Sequence, residues 1–315
     1  MLKTIPLSLG VFLIAVFSLS YVVDSRRVAP EKPQATAWWP EASPRYESIH
    51  GVETRYISHG NGPDLLLLHT FSTELGHFRK VAEELSEDYR VWALDLPGFG
   101  YSDLPSQDLT AQYYVDFVAA FLEHMDLTEV TIVGESIGGT IPIALSAQGN
   151  ERVTRILSLD PVGIHPSPLA RSSRVGAIFT SLMGTPVLSG FIQRIRNQRS
   201  TRGVFVGAMH DIANMPDDYF DDLIAINQRP EFPKAQKSFI DNFQSWTELV
   251  HQFGNTTLPV HVMWGNEGWS RPAERREFVK PLTNATSEVV ENAGHFISLD
   301  RADVILRWLQ STASG

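Results

Sequence analysis

Short apolar runs that end in turn residues recur along this chain, and segments with helical spacing separate them. "PDLLLLHT", "YRVWALDLPGFG", "EVTIVGES", "VTRILSLDP", "PVHVMWG" and "SEVVENAG" each read as a buried strand. Before them, "YESIHGVETRYISHG" has two extended runs around His50-Gly51, the mark of a hairpin. Residues 73–86, 110–126, 138–148 and 300–312 carry helical periodicity. The second is clearest, with Tyr114, Phe117, Val118, Phe121, Leu122 and Met125 on one face. Strands alternating with helices predict an α/β fold, a mostly parallel sheet covered by helices on both faces.

In open sheets of this kind, functional groups collect beyond the carboxyl ends of the strands. The residues there are His69-Thr70-Phe71, Asp95, Ser136, Asp160, Asn266-Glu267-Gly268 and Gly294-His295. Ser136 stands between Gly134 and Gly138. Such a pattern is either an ordinary turn or a sharp strand-to-helix corner that exposes a nucleophilic hydroxyl. A serine, acidic groups and a histidine all fall at strand ends in the order Ser, acid, His, which favours the corner. The bland alternative for Ser136 is a helix cap.

The stretch 165–255 breaks the alternation. Apolar clusters at Ile178, Leu182, Met183, Val187, Leu188, Phe191 and Ile192 read as a helical lid inserted after the sixth strand. Its last part, "KAQKSFIDNFQSWTELVHQF", reads as a helix returning to residues 46–164 and 256–315, the core. The acidic run "MPDDYFDDL" reads as a solvated helix face.

The formal net charge of −10 disfavours nucleic acid as a partner. With no cysteine, disulfides, thiolate chemistry and cysteine-based zinc sites are excluded. The histidines form no ligand cluster, so no metal and no cofactor is expected.

An uncharged, mostly apolar run from Ile5 to Val23 follows Lys3. It predicts a membrane anchor or signal peptide over residues 1–23. The preferred reading is an uncleaved anchor with the body extracytoplasmic; cleavage near Ser18 and Ser20, giving a secreted or periplasmic chain, is the alternative. Residues 24–45, rich in Pro and Ala, read as a linker.

The motifs "LLLLHTF", "DLPGFGYSD", "GESIGG" and "AGHF" stand in the order and spacing of the α/β-hydrolase superfamily, and from about residue 46 to 315 the chain resembles its serine-nucleophile, esterase/lipase-like branch. The resemblance implies Ser136 as nucleophile and His295 as base. It implies an oxyanion hole from the backbone N–H groups of Phe71 and Ile137. Thr70 stands where the family usually has glycine, and a β-branched residue resists positive φ, so a reshaped loop is expected. The family's usual acid position is Gly268, which has no carboxylate. Two candidates follow: Asp160, the preferred acid, and Glu267.

These readings lead to hydrolysis of carboxylic esters with apolar groups through a Ser-Asp-His triad and an acyl-enzyme. Trp264 and Trp269 are candidates for an apolar pocket, or for simple packing. The alternatives are a carbon–carbon hydrolase of ring-cleavage products and a non-catalytic binding protein on the same fold.

Overall fold

The computed structural model describes residues 7–164, 177–178, 181–182 and 185–313. Residues 1–6 of the leader, Met183 and the side chain of Val187 lie outside them.

The expected strands form one eight-stranded sheet in the order β1-β2-β4-β3-β5-β6-β7-β8. They are β1 (Arg45–Ile49), β2 (Val52–His59), β3 (Asp64–Leu68), β4 (Arg90–Leu94), β5 (Val130–Glu135), β6 (Val153–Leu159), β7 (Val260–Gly265) and β8 (Ala285–Val290). The β1–β2 hairpin and the β2–β4 pair are antiparallel; every other pair is parallel. The run of four leucines shows why the central strands are continuously apolar. Leu66 and Leu68 join the core on one face with Phe117 and Phe121, while Leu65 and Leu67 join the core on the other with Val81 and Ile305. All four are at most 1% exposed, each stabilising the fold by about 1.5–3 kcal/mol.

Among the described residues the N-terminal helix is α1 (Leu7–Ser25), and the helices on the sheet include α2 (Arg79–Leu85), α3 (Ala111–His124) and α4 (Ile137–Ala147). Thr110 caps α3 by accepting the Tyr113 N–H. The helix predicted over 73–86 is split. A 3-10 turn over Leu75–Phe78 precedes α2, and Asp95 Oδ1 accepts the Leu75 N–H at its start at 2.7 Å.

Between β6 and β7 lie α5 (Pro186–Arg194), α6 (Gln198–Val206), α7 (Asp217–Ile226), α8 (Phe232–Asp241) and α9 (Gln244–Val250). The returning helix is thus two helices. Asn242 Nδ2 bonds the Ser238 carbonyl and Ser245 Oγ bonds the Asn242 carbonyl, local bonds that compete with continued helix. The acidic run is amphipathic rather than wholly solvated, with Tyr219, Phe220 and Leu223 buried and Asp218 and Asp222 paired with Arg79. Beyond β7 come α10 (Pro272–Val279), α11 (Ile297–Asp300) and α12 (Ala302–Ala313).

The expectation of a membrane-anchored, extracytoplasmic chain is corrected. Among the described residues, no helix is long and apolar enough to cross a membrane. The second half of α1 instead docks on α5. Phe17 stacks on Phe191 at 5.2 Å, Arg194 lies 3.8 Å from the Tyr21 ring centroid, and Arg194 Nε donates to Ser20 Oγ. The following segment also packs: Trp39 is 1% exposed, in the core beside Leu65 and Leu67.

Candidate active site

The sheet register builds the site. Glu135 at the end of β5 pairs with Leu159 at the end of β6, so the next residues, Ser136 and Asp160, leave adjacent strands side by side. Ser136 N donates to the Leu159 carbonyl, and Asp160 N to the Met263 carbonyl on β7. Both residues have positive φ, 58° and 37°. Neither is glycine, so each is held in a strained conformation by its surroundings. The corner at Ser136 is tight enough to demand its glycines. A Cβ at Gly134 would lie 2.0 Å from the Gly138 carbonyl oxygen, and one at Gly138 would lie 2.1 Å from that of Leu68.

His295, delivered by the loop after β8, completes a chain of contacts. Its Nδ1 donates to Asp160 Oδ2 at 2.5 Å, which leaves Nε2 to accept from the Ser136 hydroxyl at 3.0 Å. All three residues are buried. Burial pushes the Asp160 carboxyl above its ordinary range, and the bond from His295 opposes that rise. Such an arrangement can move the serine proton onto an imidazole whose new charge faces a carboxylate.

Glu267 is elsewhere. It is exposed, and its Oε1 pairs with His210 Nδ1 at 2.8 Å. Gly268 explains the exchange: a Cβ there would lie 2.7 Å from Asp160 Oδ2 and 2.9 Å from Oδ1. The Asp160 carboxylate fills the space a side chain at 268 would need.

Ile137 directly follows Ser136, and Phe71 follows β3, whose last residue Leu68 pairs with Gly134 on β5. Ile137 opens α4, where a helix leaves its first N–H groups without internal partners. Among the described residues neither Phe71 N nor Ile137 N has a hydrogen-bond partner. Thr70 is not in the left-handed region; the positive φ of this loop falls at Ser72, 61°. His69 holds the loop, donating from Nδ1 to the Thr70 carbonyl at 2.7 Å and accepting the Leu96 N–H at Nε2 at 2.9 Å. Burial lowers its pKa to about 4, so it is neutral, as that acceptor role requires.

A cavity of about 190 Å³ reaches the site through Trp269, which lies on His295, and Phe296, the next residue along; Ser136 itself does not line it. Phe71, Phe205, Phe232, Trp269 and Phe296 form its apolar wall; Gln193, Arg196, Asn227 and Gln236 stand among its polar lining. Arg196 is committed to Asp24 and to the Asn227 carbonyl. Trp264 is core, 1% exposed against Phe278. Trp269 lies flat on His295, a contact that sequence reasoning did not find. His77, wholly buried against Glu135, was also missed. Its segment reads only as helix, and nothing in the sequence marks it.

A family model described as the alpha/beta hydrolase fold matches residues 63–302. The chain belongs to this family. It is 25% identical over 289 residues to the dihydrolipoyllysine-residue acetyltransferase component of an acetoin cleaving system from Cupriavidus necator, covering 89% of this chain and 72% of that one. It is 24% identical to a 2-hydroxymuconate semialdehyde hydrolase of Pseudomonas putida, covering 83% of this chain and 90% of the relative. Among solved structures, a haloalkane dehalogenase from Agrobacterium tumefaciens superposes with a TM-score of 0.77 at 19% identity, covering 88% of this chain and 98% of that one, a likeness in fold.

Proposed function

We propose that this protein is a serine hydrolase of carboxylic esters with apolar groups. The contact chain Ser136–His295–Asp160, at 3.0 and 2.5 Å, carries the reading. The Ser136 oxygen attacks the ester carbonyl carbon as His295 Nε2 takes its proton. Negative charge then develops on the carbonyl oxygen, where the N–H groups of Phe71 and Ile137 receive it. His295 returns the proton to the departing alcohol, leaving an acyl group on Ser136. A water activated by the same nitrogen releases the acid. Asp160 holds the imidazole in the tautomer that leaves Nε2 free.

The aromatic wall of the cavity supports an apolar acyl or alcohol part. On this reading residues 46–164 and 256–315 form the catalytic core, and the helices within 165–255 act as its lid, contributing Phe205 and Phe232. A nucleophile that is serine rather than aspartate disfavours epoxide and haloalkane chemistry.

The second reading is carbon–carbon hydrolysis, favoured by the similarity to the 2-hydroxymuconate semialdehyde hydrolase. A muconate carboxylate calls for a cationic partner, and Arg196 at the cavity wall is already paired with Asp24. That observation supports the ester. Turnover of a p-nitrophenyl ester series of increasing acyl length tests the choice, with release of p-nitrophenol the expected result. Silence at every length, with cleavage of a ring-opened dienone, would favour the second reading. Silence with both would favour a binding protein.

A further inference from the structure

Glu135 immediately precedes Ser136, yet its carboxylate reaches away to the loop that bears His295. It is wholly buried. Its Oε1 accepts the Ser298 N–H at 3.0 Å, and its Oε2 accepts the Ser298 hydroxyl at 2.7 Å and the Nε2 hydrogen of His77. Ser298 sits on α11, three residues beyond His295. His77 is wholly buried too, and its Nδ1 meets the Tyr219 hydroxyl of α7 at 3.0 Å. Phe296, next to His295, packs edge-on against the His77 ring at 5.0 Å.

A carboxylate kept from water must be supplied with donors, and Glu135 has three from two other parts of the chain. Backbone pairing along β5 fixes the serine side of the site. The base arrives from a loop after the edge strand β8, where Gly294 N donates to Asp300 and Phe296 N to the Ala208 carbonyl. The Glu135 carboxylate ties this loop directly to the strand end that carries the serine.

We propose that Glu135 is a positioning residue: it sets the separation of Ser136 and His295 by binding the strand end that carries one to the loop that carries the other, with His77 bracing it from the third side. This rests on the reading of Ser136 as nucleophile and His295 as base.

The test compares Glu135→Leu and Glu135→Gln in the full chain. The readouts are kcat and KM with a p-nitrophenyl ester, the rate at which a fluorophosphonate labels Ser136, and circular dichroism to score the folded fraction. Per folded molecule, E135L is expected to lose about 10- to 100-fold in kcat and labelling rate with KM little changed, since small displacements of reacting groups cost rates of that order. E135Q is expected to stay within a few-fold of wild type. Its amide can accept the Ser298 N–H and donate to the other tautomer of His77. Wild-type labelling of folded E135L, or equal impairment of both variants, would overturn the proposal. If E135L does not fold, Ser298→Ala decides. It removes one bond, and a smaller loss confined to kcat is expected; unchanged kcat in folded S298A overturns the proposal. A wild-type chain that takes no label would overturn the nucleophile reading and this inference together. A labelled wild type with undiminished E135L would overturn this inference alone.

Discussion

The indole of Trp269 lies flat on the imidazole of His295, with ring centroids 3.9 Å apart and planes 11° from parallel. Its Nε1 donates to the Gly207 carbonyl at 2.9 Å, which holds it from the side of the insertion between β6 and β7. In the proposed mechanism His295 becomes an imidazolium, and an aromatic face stabilises such a cation by about 0.5–2 kcal/mol. Trp269→Ala should therefore lower kcat by about 2- to 30-fold, the same energy expressed as a rate. Trp269→Phe keeps a ring face and should recover most of that loss. Steady-state kinetics on the two variants check this, and equal rates for W269A and wild type would refute it.

Asp160 and Glu267 make opposite predictions. Asp160→Asn keeps the shape but presents an amide to Nδ1, favouring the wrong tautomer. Its turnover should fall by about 10⁴. Glu267 faces His210, not His295, so Glu267→Gln should leave turnover near wild type. An inactive E267Q beside an active D160N would reverse the assignment.

Gly268 should tolerate no side chain while Asp160 is present. Gly268→Ala sets a Cβ 2.7 Å from Asp160 Oδ2, an overpacked contact expected to destabilise the fold by about 1–3 kcal/mol. The two positions compete for one space, so removing the first carboxylate should make room for a second. Asp160→Gly combined with Gly268→Asp should exceed the turnover of Asp160→Gly alone. Thermal melts and ester turnover measure both effects.

His69 should make the fold acid-sensitive. Its folded pKa, about 4, lies below the ordinary 6.5, so the unfolded chain binds the proton more tightly. The stability is complete above the unfolded value and is lost as pH falls from there towards the folded one. Between pH 7 and pH 5 the loss from this group is about 2 kcal/mol. Urea unfolding at the two pH values should show that slope in wild type and a shallower one in His69→Gln.

Much of this architecture is legible in the sequence because the central strands are buried on both faces. Continuous runs such as Leu65–Leu68 and Val130–Val133 need no alternation to be recognised. The serine corner is legible because Gly134 and Gly138 make backbone contacts that no side chain would fit. Contacts made across the fold were less visible. The helix over 73–86 begins instead with a 3-10 turn whose first N–H, that of Leu75, goes to Asp95 on another strand end. The two tryptophans looked alike in sequence, yet Trp264 went to the core and Trp269 to the histidine. The glycine at 268 read as a missing acid; the three-dimensional contact with Asp160 turns it into a space left open. The apolar run before Asp24 carried the composition of a span, and composition does not register the stacking of Phe17 on Phe191.

Mass spectrometry of the intact chain after exposure to a fluorophosphonate tests the assignment of Ser136 most directly. One covalent adduct is expected, mapped to Ser136 and abolished or greatly slowed in His295→Asn. An unmodified wild-type chain, or an adduct on another residue with Ser136 free, would contradict it.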